Sequence, residues 1–429
     1  MKTRLSAIWI ASLLTFGCSK TEVEPKPETS PELATFEFTL SFKPAYINTA
    51  EFELIVAQEN GSVLLDTLLT ASETHWIKLK TDDQTFDVTT ITSNESIQGP
   101  DYHLIRTYTG VNPDKWMLNE NLNYSVNTYN EETTLNSKVR YTNLPYNYGG
   151  FSFHSTLLGS YTAGTSSQSR DIQIGSYTRI FPNNYTYLLL PDLGKYIYSA
   201  ANDFDVTVDY STAGTLEMHD FVKPNGLLLH YANLNGYHNT GNYVNPLQVY
   251  NSVKAKTSHN LINPIKHDLM VPPALFESFE LSLTFRNSVN NELNYYKLTE
   301  EIPTDLSFLK EPDFTVGTTN PEILQITTGQ DKPTNYTLNW FTTDRNKLNA
   351  AWLVTLPDES KSFNVKAYQQ SLQKSILLKD KDLSVLRLNS VQWSKATSYT
   401  YQSFLDYLFD PEGMKKKGLK EFTRFTKSL

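Results

Sequence analysis

Short runs in which apolar and polar residues alternate recur along this chain, and they restrict it to strands more firmly than any other feature. Phe36, Phe38, Leu40 and Phe42 alternate with Glu37, Thr39 and Ser41. A period of two puts the rings on one face of a pleated strand and the polar groups on the other. The runs Phe52–Ala57 and Val63–Leu68 flank Glu59-Asn60-Gly61-Ser62. Asn-Gly accepts positive φ at both central turn positions, so these two runs are expected to form a hairpin. Trp76–Lys80 and Phe86–Thr92 read as two more strands. Tyr (26) and Phe (22) are abundant while Met (5) is scarce, and aromatic side chains suit a pleated, half-buried surface. The expected fold class is mainly β.

A length of 429 residues exceeds one ordinary domain. Turn signals between strands suggest two or three tandem β-sandwich domains. The expected boundaries are a β-sandwich at 35–138, a β-rich domain at 139–273, and a second β-rich domain with a short C-terminal helix at 274–429. In the second unit the clearest strands are Phe151–Thr156, Asp171–Ile180, Tyr185–Leu190, Phe204–Asp209 and Leu227–Tyr231. In the third, Phe279–Phe285 echoes Phe36–Phe42, and Tyr336–Trp340 and Trp352–Leu356 pair around Asp344-Arg345-Asn346. Tyr401, Phe404, Leu405 and Leu408 recur at helical spacing, with Thr397 or Ser398 as cap and Pro411 as stop. The tail beyond them is basic (Lys415–Lys417, Lys420, Arg424, Lys427), with Leu419, Phe422 and Phe425 between the charges. It reads as a closing helix packed on the last domain, or as a second membrane contact.

The first 34 residues follow a different rule. Lys2 and Arg4 precede an apolar run, Leu5–Phe16, and then Gly17-Cys18. Twelve residues rising ~1.5 Å each span about 18 Å, short of a ~30 Å hydrocarbon core, so residues 1–17 read as a signal peptide. Cys18 is the one cysteine, which excludes an internal disulfide. Leu14-Thr15-Phe16-Gly17-Cys18 resembles the lipobox of bacterial lipoproteins, with Thr15 where the usual leucine stands. It is similar to the looser boxes of the Bacteroidota. The resemblance implies lipidation of Cys18. Residues 18–34 carry Pro25, Pro27 and Pro31 among Glu, Lys and Thr. Extended at ~3.1 Å per residue, such a tether reaches about 50 Å. Its acidic start resembles the signal that sends some lipoproteins of this group to the cell surface. The expected location is therefore the outer membrane, lipid-anchored at the cell surface, or alternatively its periplasmic face.

The net charge is −9, and loss of Lys2 and Arg4 with the signal makes it −11. Such a balance repels phosphate backbones, and no basic stripe interleaves with aromatics, so no nucleic-acid partner is expected. No cofactor is expected either. The histidines (His75, His103, His154, His219, His230, His238, His259, His267) form no His-Glu-x-x-His pattern, and no metal site is expected. Gly-x-Ser-x-Gly is absent. Ser152 and His154 share a strand face as any outward pair does, and Asp203, Asp205 and Asp209 read as a solvated face sooner than a Ca²⁺ site. No catalytic residue is assigned.

Two stretches are dense in rings and amides: Tyr141–Gly150, with Tyr146 and Tyr148, and His230–Tyr243, with Asn235, Tyr237 and His238. Rings stack on the apolar face of a pyranose while amides bond its hydroxyls. Tyr146, Tyr148, His230, Asn235, Tyr237, His238 and Tyr243 are the candidate ligand contacts, against the reading of ordinary surface loops. Trp76 and Trp116 are expected in cores. Together with the signal, the tandem β pattern is similar to the accessory outer-membrane lipoproteins of Bacteroidota polysaccharide uptake. That similarity implies a non-catalytic glycan-binding role, with a polysaccharide or an outer-membrane protein as partner. An adhesin or fimbrial-type structural protein, or a hydrolase with an unrecognised site, are the alternatives.

Overall fold

The computed structural model describes residues 34–41, 51–58, 61–70, 74–81, 85–95, 99–112, 116–118, 134–155, 161–163, 169–180, 185–200, 205–241, 243, 246–254, 265–306, 309–320, 323–358, 362–363, 365–409 and 417–429. Cys18, the signal segment and nearly all of the tether lie outside them, as do the side chains of Trp76 and Trp116.

The fold is mainly β, built on a sheet of twelve strands. These are β1 (Glu51–Gln58), β2 (Val63–Thr70), β3 (Phe86–Asn94), β4 (Tyr102–Val111), β5 (Leu228–Tyr237) and β6 (Leu247–Asn251). They continue with β7 (Ser278–Arg286), β8 (Glu292–Thr299), β9 (Asn335–Thr342), β10 (Asn349–Pro357), β11 (Leu386–Ala396) and β12 (Glu421–Ser428). The order across the sheet is β6-β5-β7-β8-β12-β11-β9-β10-β4-β3-β1-β2. All neighbours are antiparallel except β10 and β4, which run parallel from Asn349↔Tyr102 to Thr355↔Tyr108. A parallel pair needs a long connection between its strands, and here the middle of the chain supplies it.

Strands from all three expected units hydrogen-bond in this one sheet, so its ladder is not divided at 138/139 or at 273/274. Alternation marks a strand but not its partner, because any two half-apolar strands are compatible until their buried faces meet. The likeness of Phe279–Phe285 to Phe36–Phe42 goes no further than the pattern. The former lies in β7, whereas Ala34–Ser41 belongs to a separate three-stranded sheet with Thr74–Thr81 and Trp116–Leu118. The hairpin around Asn-Gly forms as expected, joining β1 to β2, with Gly61 at φ 86 and Gln58 N–H bonded to Ser62 O.

An apolar core runs across the inner face of the main sheet, with a few buried polar groups such as Glu53, Thr107 and Thr423 set into it. Leu234, Leu281, Phe425, Leu338, Trp352 and Ile105 belong to one buried cluster that crosses the sheet. Trp340 and Trp352 lie with ring centroids 6.0 Å apart, and the Trp352 indole N–H donates to Thr107 Oγ1 at 3.0 Å. Helix α1 (Val365–Leu372) packs here through Val365 and Leu372. The outer face is divided. Beside β1, β3 and β4 it is apolar: Phe52, Leu54 and Val56 pack with Ile77 and Leu79 of the three-stranded sheet and with Leu405 of α2 (Tyr401–Phe409). Beyond β10 it carries polar and aromatic side chains, with a small apolar cluster of Ala396, Phe404 and Leu419 beside Phe422.

Residues 134–215 hold a small sandwich of their own. Val139, Tyr141 and Ile172 of a three-stranded sheet meet Phe153, Leu188 and Ile197 of a five-stranded one. The strand Tyr185–Leu190 is buried on both faces. Leu188 and Leu190 point into this sandwich, while Tyr187 and Leu189 join the main core. The apolar run Tyr187-Leu188-Leu189-Leu190 is the sequence form of such a middle layer.

The basic tail is not a helix. Residues 421–428 form β12, paired with β8 on one side and β11 on the other. Thr423 and Phe425 are buried on its inner face, and Phe422 and Arg424 are on its outer face. Its aromatic spacing fits two faces of a strand better than one stripe of a helix. Helix α2 forms as expected, but its start is capped by Thr400, whose Oγ1 accepts from Ser403 N–H at 3.2 Å. Thr397 and Ser398 precede the cap, and Pro411 lies outside the described residues.

Candidate functional site: the outer polar face of the main sheet

The register lines up polar and aromatic side chains on the outer face. Gln248 lies opposite Asn235, which lies opposite Glu280 on β7. One pair further along, Ser282 opposes Tyr296, and Tyr296 opposes Phe422. Ser394 opposes Arg424 and Asn335, which carries the row onto β9. Neighbouring strands are ~4.8 Å apart, so the row is a regular array of donors, acceptors and rings. Side-chain bonds tie it together: Gln248 to Asn233 at 2.5 Å, Asn233 to Asn235 at 3.1 Å, Thr284 to Asn294 at 2.8 Å and Asn339 to Ser390 at 3.0 Å.

Glu280 is the hub. Its Oε1 accepts from Lys417 Nζ at 2.5 Å and from Tyr296 OH at 2.9 Å. Its Oε2 accepts from Tyr237 OH at 2.6 Å and from Asn235 Nδ2 at 3.1 Å. Burial by itself would raise the carboxyl's pKa. The Lys417 charge and hydrogen bond, with those of Tyr237 and Asn235, outweigh it and hold the group below its ordinary value. Tyr237 and Tyr296 are pushed up, first by burial and then by the Glu280 charge. A carboxylate offers about four lone-pair sites, and all are used. Glu280 can therefore organise this face but has no free position from which to take a proton.

Lys417 reaches the hub from a left-handed backbone (φ 48), a conformation that costs a lysine about 1 kcal/mol and is offset by its ion pair. Three residues on, Lys420 Nζ donates to Tyr243 OH at 3.0 Å and lies 4.4 Å from that ring's centroid. Tyr243 meets Tyr237 edge-on, with centroids 5.4 Å apart. Tyr296 and Phe422 are stacked at 5.2 Å and 16°, and the Arg424 guanidinium lies 5.6 Å from the Phe422 centroid. Gly236 lets Phe276 cross β5 next to Tyr237; a Cβ there would come within 2.5 Å of the Phe276 ring.

The structure sorts the seven expected contacts into different places. Asn235 and Tyr237 bond Glu280, with Tyr237 itself only 1% exposed and so a support beneath the face and not a contact surface, and Tyr243 borders the same cluster through Lys420. His230 lies toward the other end of β5, within 3.5 Å of Arg286. His238 packs between Tyr185, Tyr198 and Phe276, with its Nε2 3.2 Å from Tyr198 OH. Tyr148 is 1% exposed in the small-sandwich core, and Tyr146 is exposed beside Arg170. The first stretch therefore does not join the second. Much of the second is a strand: residues 230–237 belong to β5. Sequence reasoning missed Glu280, Tyr296, Lys417, Lys420, Phe422 and Arg424 as contacts. A signal for three of them existed, since Lys420, Phe422 and Arg424 alternate with a period of two.

Other polar candidates have structural partners. His154 Nδ1 accepts from Gln248 N–H at 3.1 Å, which joins the small sandwich to edge strand β6; burial drives its pKa to about 3. Asp209 accepts from Ser211 N–H at 2.8 Å and from Asn143 at 2.5 Å; these bonds lower its pKa to about 2. Asp203 lies outside the described residues. Among the described residues, no group of three or more His, Cys, Asp or Glu could hold a metal ion, and no helix is long and apolar enough to cross a membrane.

No family model matches the chain, and no curated protein matches it. Among solved structures, it is similar to one described as a Ca²⁺-stabilized adhesin that helps an Antarctic bacterium bind ice. The identity is 8%, the TM-score 0.12, and the match covers 82% of this chain and 87% of that one. A second is the TIE protein of Bacillus anthracis, at 11% identity and a TM-score of 0.12, covering 76% of this chain and 62% of that one. Neither likeness carries a functional argument.

Proposed function

We propose that this chain is a non-catalytic surface lipoprotein that binds glycan on the outer polar face of its main sheet. The observation that carries the reading is the ordered row on β5, β7, β8 and β12. There the Glu280 hub fixes Asn235, Tyr237, Tyr296 and Lys417 beside the Tyr296–Phe422 stack. Rings that stack on sugar faces and amides that bond hydroxyls, both fixed beforehand, reduce the ordering cost of binding. The saturation of Glu280 supports binding over acid–base chemistry. Anchoring rests on the sequence: the short apolar leader, Gly17-Cys18 and the proline-rich tether.

Two measurements test the reading. The lipid-free 19–429 chain is expected to bind members of a glycan array, and Phe422→Ala is expected to weaken that binding about tenfold while the fold is retained. Absence of binding to every glycan would refute the site. In cells, the full chain is expected to incorporate palmitate and to pellet with membranes. Cys18→Ser is expected to lose both, and a variant that still labels would refute the anchor.

A further inference from the structure

The same face has an uneven charge. In a protein of net charge −9, its outer margin presents Lys420, Phe422 and Arg424 at alternate positions, so all three project on one side of the sheet. At ~3.3 Å per residue, the two cations are about 13 Å apart along the strand, with an aromatic ring between them. Both cations are exposed. Neither makes an ion pair among the described residues: Lys420 bonds only the Tyr243 hydroxyl, and Arg424 lies against the Phe422 ring. The nearby acids are already engaged. Glu280 is saturated, and Glu292 accepts from Arg286 at 2.7 Å and from Asn294 at 2.7 Å. The Glu292 charge reaches Arg424 without forming an ion pair, and Lys420 has no carboxylate partner among the described residues, so two cations flanking a ring are arranged for a ligand that brings negative charge at intervals along a row of rings.

We propose that the glycan bound on this face is acidic, with uronate or sulfate groups that pair with Lys420 and Arg424 while a sugar ring between them stacks on Phe422. This rests on the glycan reading above and adds the charge of the ligand. A polysaccharide with one charge per sugar or per disaccharide fits the interval. Nucleic acid, with a charge every ~1.7 Å of duplex axis, meets too few cations here and is repelled by the rest of the molecule. A membrane surface is disfavoured because, among the described residues, the patch offers no exposed aliphatic side chain for insertion.

The test uses the lipid-free chain and defined probes: polygalacturonate and chondroitin sulfate as acidic glycans, dextran and galactan as neutral ones, duplex DNA, and vesicles containing phosphatidylglycerol. Acidic glycans are expected to bind, with affinity falling as salt is raised. Lys420→Ala and Arg424→Ala should each weaken that binding about tenfold, as loss of one charge-assisted bond does, without moving the melting temperature. Phe422→Ala should weaken it at every salt concentration. Binding to the neutral glycans alone, unaffected by Lys420→Ala or Arg424→Ala, would overturn the acidic assignment and leave the glycan reading standing. Binding to none of the glycans would overturn both. Equal or tighter binding to DNA or vesicles, lost in the same two variants, would reassign the patch and overturn the acidic assignment.

Discussion

Glu280 sits at an outward strand position, where an acid is unremarkable by sequence. Its surroundings give it consequence: its side chain is 12% exposed, four donors converge on it, and one of them is a lysine 137 residues away. Removing one member of such a pair leaves the other charge poorly solvated. Glu280→Gln is expected to cost about 2 kcal/mol, less than the full cost of breaking a deeply buried pair because the site touches solvent. Urea denaturation should register the loss as a lower midpoint, and a midpoint unchanged within error would deny Glu280 its organising role. Nothing in Phe279-Glu280-Leu281 announces this, since ion pairs between distant strands leave no local trace. The Asn235 and Tyr237 contributions were legible as a cluster of amides and rings, though not their shared acceptor.

The edge of the polar face is set by an element, helix α2. Tyr401 at its start donates to Thr109 O at 2.6 Å and approaches Thr355 O at 3.2 Å, so one hydroxyl spans the parallel seam between β4 and β10. Leu405 enters the covered half of the outer face, while Phe404 joins Ala396 and Leu419 near Phe422. Tyr401→Phe keeps the ring and removes the hydroxyl. It is expected to cost about 1 kcal/mol, the scale of one buried hydrogen bond. The amides of β4 and β10 should then exchange hydrogen faster while those of β7 and β8 do not. Uniform acceleration across the sheet would instead mean that α2 stabilises the whole molecule and not the seam. The helix itself was readable from its 3.6-residue spacing. That the chain after it re-enters the sheet as β12 was missed, because the period-two alternation there is short and the strands it pairs with lie far along the chain.

At the scale of the molecule, opposing titrations shape the response to acid. His267, 4% exposed and bonded to Tyr250 OH at 2.8 Å, is lowered to about 4 by burial and then by the Lys223 charge. His154 is lowered further, to about 3, by burial and then by Lys254. Both stay neutral in the fold but charge in the unfolded chain below pH ~6.5, so stability falls as pH drops through that value. For His267 the loss reaches about 3 kcal/mol once pH has fallen below its folded pKa. Asp66 acts oppositely. Burial first, and then the hydrogen bond and charge of Glu53, raise it to about 7, so its protonated form is favoured in the fold and stability declines from pH ~4 toward 7. Glu53 itself accepts from Ser375 Oγ at 2.7 Å and Ile376 N–H at 2.6 Å, holding the connection after α1 on the sheet. Melting temperatures from pH 7 down to 4.5 should therefore fall, more steeply in Asp66→Asn and less steeply in His267→Asn. Parallel curves for all three proteins would exclude these assignments.

The sequence by itself determined what depends on neighbours along the chain. That includes the β class, most strand positions, the Asn-Gly hairpin and helix α2, because alternation, turn chemistry and helical spacing are local properties. Tyr185–Leu190 was legible as a strand, but the covering of both its faces was not. Only the tertiary structure decided which strands share a sheet, and hence that β1–β4, β5–β6 and β7–β12 form one ladder. The same is true of which outward residues meet. Partner choice and register are settled when buried faces fit together across hundreds of residues. A carboxylate on β7, a lysine before β12 and a tyrosine on β5 become one cluster only at that stage.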